Sequence, residues 1–225
     1  MGQAIGDLLP FALGAALSPI PIIAIILILL STRAGANGVS FLVGWAVGMT
    51  GASIVLFAVS TSIGSGTNGA PSTSSSVIKL VAGVGLLLLA RRSIRKRPKP
   101  GETAELPKWL ASMDTLAPAK AAALGVLLSA LNPKNLLMIA GAMVALSQYH
   151  LPDGDIVIAI AVFVLLAVST VAAPVLIFAV AGNKAQHRLD TTKIWLSQNN
   201  ATVMAVLLVV IGVVLIGKGI GGLSS

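Results

Sequence analysis

The sequence predicts an all-α integral membrane protein with six transmembrane helices arranged as two inverted repeats of three. Helices one and four are broken at mid-membrane by proline, and both termini lie outside. Three observations predict this. The chain is 56% hydrophobic and only 10% charged, where soluble domains carry about 25% charge. Its apolar residues gather into six segments of about the length that spans a bilayer core of roughly 30 Å. Its basic residues collect in alternate connections between those segments, as the positive-inside rule requires.

The apolar segments run over about 8–30, 39–62, 77–90 (extending to 94), 119–146, 156–181 and 202–220. Arg33 lies between the first two. Eight basic residues, from Arg91 to Lys120, lie between the third and fourth. Lys184, Arg188 and Lys193 lie between the fifth and sixth. These are 12 of the 15 Lys and Arg, and the connections 64–76 and 147–155 contain none. The three basic loops are therefore cytoplasmic. The first apolar run has no basic stretch ahead of it and continues past signal-peptide length, so it reads as a retained span.

Three segments are assigned: residues 1–97 as the first three-helix repeat, 98–117 as a cytoplasmic basic loop, and 118–225 as the second repeat. Within the loop, Leu106, Trp109, Leu110, Met113 and Leu116 recur at helical spacing, which predicts a short amphipathic helix on the membrane surface. The outer connection 64–76 is rich in Gly, Ser and Thr and is expected to be flexible.

The repeat is visible in the residues. Ala12-Leu13-Gly14-Ala15-Ala16-Leu17-Ser18 resembles Ala123-Leu124-Gly125-Val126-Leu127-Leu128-Ser129, and prolines follow both. Arg92-Ser93-Ile94 similarly matches Lys218-Gly219-Ile220. Two halves of three spans each must be inverted with respect to one another. Inverted repeats with broken helices at matching positions point to a midplane binding site.

The breaks fall at Ser18-Pro19-Ile20-Pro21 and Asn132-Pro133-Lys134-Asn135. Proline inside a helix removes a backbone donor and clashes with the preceding turn. Ser and Asn are favoured helix N-caps, with Pro favoured just after them. Each span is thus expected to stop and restart at mid-depth, with backbone N–H groups of the second half-helix directed at the midplane. Lys134 is the charged residue at the centre of an apolar run, where a lysine costs roughly 3 kcal/mol or more unless it faces protein or water. Ser18, Pro19, Pro21, Asn132, Pro133, Lys134 and Asn135 therefore form the candidate site, suited to a carboxylate, sulfate or phosphate. Packing kinks repaired by neighbouring polar groups are the structural alternative. Ser169 and Thr170, in the fifth span near Pro174, are further candidates to line a polar path. In a proton-coupled cycle, Lys134 would be the titrating group.

Gly44 and Gly48, with Gly51 one turn on, form a small-residue stripe expected to pack helices closely within the fold; a homodimer interface is the alternative. The absence of cysteine excludes disulfides and Cys-ligated metals. His150 and His187 are isolated, giving no metal site. The seven Asp and Glu fall outside the apolar spans, and no phosphate-binding Gly-rich loop occurs. An enzyme and a cofactor are therefore not expected. The net charge of +8 lies beside apolar spans, where anionic headgroups rather than nucleic acid are the nearer partner.

Ser18-Pro19-Ile20-Pro21, Leu30-Ser31-Thr32-Arg33-Ala34, Asn37-Gly38 and Phe41-Leu42-Val43-Gly44-Trp45 resemble the GAP family, the glycolipid- and sulfolipid-addressing proteins of mycobacteria and related actinobacteria. Leu131-Asn132-Pro133-Lys134-Asn135 adds to that likeness and is similar to the Asn-Pro-Lys of the wider LysE exporter superfamily. The resemblance implies an inner-membrane, multi-pass protein that moves a lipid or lipid-linked precursor toward the cell surface, with lipid-synthesis or export proteins as partners. It places the family's proline pair at Pro19 and Pro21 and its Asn-Pro-Lys at Asn132, Pro133 and Lys134. Related electron carriers hold cysteine beside those prolines; Ser18 and Asn132 stand there here, which sets thiol redox chemistry aside. Export of a small solute such as an amino acid, or a non-transporting scaffold for lipid-synthesis enzymes, are the alternatives.

Overall fold

The structure, a computed structural model, describes residues 1–64, 73–95, 110, 113 and 116–223. Eight α-helices follow in order: α1 (Gly2–Ala16), α2 (Pro19–Leu29), α3 (Ala34–Gly64), α4 (Thr73–Arg95), α5 (Pro118–Ala130), α6 (Pro133–Ser147), α7 (Asp153–Ala181) and α8 (Gln186–Leu223). A short 3-10 turn, Gly182–Ala185, joins the last two, entered through Gly182 at φ 55°. Only glycine takes that left-handed conformation without steric cost.

The first and fourth apolar segments are each split in two. α1 meets α2 at 54°, and α5 meets α6 at 59°. The cause is local. Pro19 and Pro133 open the second half-helices, and neither can donate to the helix before it. Proline is tolerated inside α1 at Pro10 and inside α7 at Pro174, where the helix continues.

Three of the described helices are long and apolar enough to cross a membrane: Ala34–Ser62, Asp153–Ala181 and Gln186–Leu223. Five spans result if each bent pair counts as one. Large apolar side chains face outward along them. Val180 is 90% exposed and Leu165 is 70% exposed, which suits a surface bathed by lipid.

Small residues bring the helices together. A Cβ on Gly44 would overlap the Ala122 carbonyl, and one on Gly48 would overlap the Ser129 hydroxyl. On the facing helix, Gly125 lies against the backbone of Phe41 and Trp45. The stripe thus seats α3 on α5, as expected for packing within the fold, and Gly51 faces open space. α4 lies along α8, where Gly83 and Gly212 each approach the other's carbonyl. Phe11 of α1 covers Gly141 of α6. Buried Phe11, Phe41, Trp45 and Phe163 fill the interior, with the Phe41 and Trp45 rings stacked 6.1 Å apart.

Some expectations change. The sixth apolar segment begins a continuous helix 16 residues early, at Gln186. Its polar first part is no loop: Asp190 pairs with Lys193 one turn on, and Thr191, Thr192 and Ser197 bond carbonyls four residues back. The Asp190–Lys193 pair supports the helix outside the apolar zone, and the hydroxyls find acceptors within it. The connection expected over 64–76 is shorter, because α4 already starts at Thr73; residues 65–72 lie outside the described residues. So does most of the proposed amphipathic helix at 106–116. Of that stretch, Leu110 and Met113 are buried against the core, and the Leu116 carbonyl accepts a 2.7 Å bond from Asn37 Nδ2.

Candidate functional site

The two breaks meet. Lys134 Nζ, from the first turn of α6, donates to the Leu17 carbonyl at 2.9 Å and to Ser18 Oγ at 2.6 Å. Ser18 Oγ lies 3.1 Å from the Ala15 carbonyl and 3.2 Å from Asn135 Oδ1; its single hydrogen serves one of them at a time. Asn135 Nδ2 donates to the Leu128 carbonyl at 3.2 Å, tying the site back to α5. Lys134 is 5% exposed, Ser18 2% and Asn135 0%.

The local sequence explains each position. Asn132 Oδ1 accepts from Lys134 N at 3.0 Å and caps α6. Pro133 holds the first helical position, so Lys134 follows with its side chain directed from the first turn. Ser18 occupies the matching place before α2 but makes no cap bond. Its hydroxyl is turned to α6 instead.

The electrostatics differ from a simple meeting of two positive helix ends. Lys134 points at the C-terminus of α1, where carbonyls carry partial negative charge. Thr170 Oγ1 of α7 donates to the neighbouring Ala16 carbonyl. The α1 terminus is therefore satisfied by an ammonium and a hydroxyl from the other half of the chain. α2 is a poor source of donors: Pro19 and Pro21 have no N–H, so Ile20 carries the one N–H among residues 19–21. In α6, Asn135 N–H has no partner within its own helix. Among the described residues no carboxylate pairs with Lys134; the ion pairs are Lys193–Asp190 and Lys218–Asp7. An ammonium has three donors, and the two acceptors above leave one.

Of the sequence-derived candidates, Ser18, Lys134 and Asn135 are in direct contact, Asn132 supports them as cap, and Thr170 joins through Ala16. Pro19 and Pro21 are buried beside them, and Pro133 is exposed. Ser169 is not brought to the site. It is exposed, and its hydroxyl bonds the Leu166 carbonyl of its own helix.

A second polar cluster escaped the sequence reading. Lys218 Nζ of α8 bonds Asp7 Oδ1 of α1 at 2.7 Å, and Tyr149, between α6 and α7, donates from its hydroxyl to Asp7 Oδ2 at 3.0 Å. Lys79 of α4 is near enough to interact electrostatically with both charges. Burial and the adjacent Asp7 carboxylate push the Tyr149 phenol up, so it stays a donor. A signal was present: Lys79, Lys134 and Lys218 are the basic residues outside the three basic loops. Among the described residues, no group of three or more His, Cys, Asp or Glu could hold a metal ion.

The profile of the family described as Sap, sulfolipid-1-addressing protein, matches residues 8–221. No curated protein and no solved structure matches the chain. The match covers both breaks and all or most of each helix, so the chain belongs to this family, and its long apolar helices make it a multi-pass membrane protein.

Proposed function

We propose that this member of the sulfolipid-addressing family is a plasma-membrane exporter. It moves a lipid or lipid-linked precursor with an anionic headgroup, and the headgroup binds Lys134 at the midplane. One observation carries the reading: a buried lysine without a carboxylate partner is held where two broken helices cross, bound only by neutral acceptors. Charge-assisted bonds to an anion are roughly twice as strong as bonds between neutral groups. An incoming sulfate, phosphate or carboxylate therefore competes well with the Leu17 carbonyl for the ammonium. Ile20 N–H and Asn135 N–H are the further donors in reach of the breaks.

In this reading α4 is the sixth span and the halves are inverted repeats, α1–α4 matching α5–α8. The packing supports this. α3 packs on α5 as its counterpart α7 packs on α1. α2 touches α8 as α6 touches α4, and α4–α8 and α3–α7 are self-matched pairs. Rocking of one half against the other would then change the side from which Lys134 is reached. No chemical step is assigned to the protein, which acts as a carrier and not as an enzyme.

The test is transport in sealed vesicles, comparing the unaltered protein with Lys134→Ala and Lys134→Arg across anionic glycolipids, sulfated lipids and amino acids. Movement of an anionic lipid that requires a cation at position 134 supports the proposal. Movement of amino acids alone would replace it with solute export. Unimpaired lipid transport by Lys134→Ala would overturn the midplane site. If nothing moves under any gradient, the scaffold role takes its place, and deletion of residues 98–116 should then abolish assembly with lipid-synthesis enzymes.

A further inference from the structure

Two donors from two different elements hold the carboxylate of Asp7: the Lys218 ammonium of α8 and the Tyr149 hydroxyl between α6 and α7. The Lys79 ammonium of α4 makes no hydrogen bond to Asp7 but is near enough to interact with both charges. Two cations face one anion, so the cluster carries an excess positive charge. It is also reachable, with Lys218 33% and Asp7 42% exposed. Asp7 stands ten residues before Leu17 on the same helix, which places it about 15 Å along α1 from the Lys134 site. That is half the thickness of a bilayer core. The cluster therefore lies toward the end of the bundle opposite the basic loops.

We infer that Lys79, Lys218 and Tyr149 form a second oxyanion site, for which the Asp7 carboxylate is the resident occupant. A sulfate, phosphate or carboxylate arriving there displaces Asp7 and takes over its donors. The site stands on its own geometry. Its place on an export path, as the station after Lys134, rests on the transport reading above. Displacing Asp7 would also break the tie between α1 and α8, so anion arrival and loosening of this end of the bundle are one event.

The experiment measures binding, not transport. The full-length chain is reconstituted in nanodiscs of zwitterionic lipid, and its unfolding temperature is followed with rising inorganic sulfate at constant ionic strength. Asp7→Asn breaks the ion pair and leaves the donors in place; Lys218→Gln breaks the same pair and removes one. The expected result is a sulfate-dependent rise of a few degrees in Asp7→Asn, and none in Lys218→Gln or in Asp7→Asn combined with Lys79→Gln and Lys218→Gln. The rise should persist when Lys134→Met is added to Asp7→Asn. Its loss on that addition would assign the anion to the midplane and overturn the proposal, as would an equal response in Asp7→Asn and Lys218→Gln. If Asp7→Asn does not reconstitute, the unaltered protein is compared with Lys79→Gln, which leaves the ion pair intact. A smaller sulfate response in the variant supports the site, and an equal one overturns it. Repeating the titration with a sulfated lipid in the disc in place of free sulfate separates a headgroup from a soluble anion. Because no arm requires transport, failure of the export reading leaves this result unchanged.

Discussion

At the first break Ser18, Pro19 and Pro21 are buried and Leu17 is exposed; at the second Leu131 and Pro133 are exposed, Asn132 is half-buried, and Lys134 and Asn135 are buried. The bend angles are nearly equal, 54° and 59°, so the difference lies in how each break satisfies its backbone. Asn132 caps α6 with its own side chain. Ser18 does not cap α2, and the carbonyls of Ala16 and Leu17 take their side-chain donors from Thr170 and Lys134. The first break draws those donors from other helices, because unsatisfied backbone groups in an apolar medium cost several kcal/mol. The second break thus provides the cation, and the first provides the acceptors that hold it. α1 packs closely on α6, and α5 has no comparable contact with α2.

Four sets of substitutions would break or sharpen this contrast. The largest effect belongs to Lys134→Ala, which removes both charge-assisted bonds across the breaks. It also removes the cation proposed to hold the anion. A hydrogen bond to a charged group contributes about 1.5–3 kcal/mol, so anion affinity, and transport with it, should fall roughly 10- to 100-fold. Flux per reconstituted protein measures it, and an unchanged flux would detach the lysine from function. Next is Gly125→Ala. Its methyl would run into the backbone of Phe41 and Trp45, and overpacking of this kind costs about 1–3 kcal/mol. Thermal unfolding in detergent should show the loss. Gly51→Ala, which meets open space, should show almost none. If both behave alike, the stripe does not hold α5 to α3.

Capping tests the second break directly. Asn132→Ala should destabilise by about 1 kcal/mol, while Asn132→Asp or Asn132→Ser should restore most of it. Ser18→Ala should not follow cap rules, since Ser18 makes no cap bond; its expected defect is in anion affinity. The smallest effects distinguish neighbours on α7. Thr170→Val should lose about 1 kcal/mol with the Ala16 bond. Ser169→Ala should stay within about 0.5 kcal/mol, as surface changes usually do. Equal effects at 169 and 170 would remove Thr170 from the site.

Much of the site is legible in the residues, because proline acts locally. Pro19 and Pro133 halt a helix wherever they stand, and Asn132 caps the next one with an atom two residues away. The Gly44–Gly48 stripe is equally readable, since small residues at that spacing pack helices. The partner of Lys134 was harder to read. The expectation of two positive helix ends overlooked that Pro19 and Pro21 leave α2 nearly without donors, and that the nearer atoms are the carbonyls of α1. The Asp7 cluster was missed because its members are spread from residue 7 to residue 218, and each alone looks like a charge at the edge of a span.

By itself, the sequence determined the membrane class, the positions of both breaks and the burial of one lysine at their depth, because hydropathy, proline and capping act over a few neighbouring residues. Only the tertiary structure decided that the breaks touch, that Lys134 is held by α1 and not by α2, that Thr170 belongs to the site and Ser169 does not, and that Asp7 meets Lys218. Those outcomes depend on how helices far apart in the chain rotate against one another. Glycine contacts and the need to satisfy every buried backbone group set that rotation.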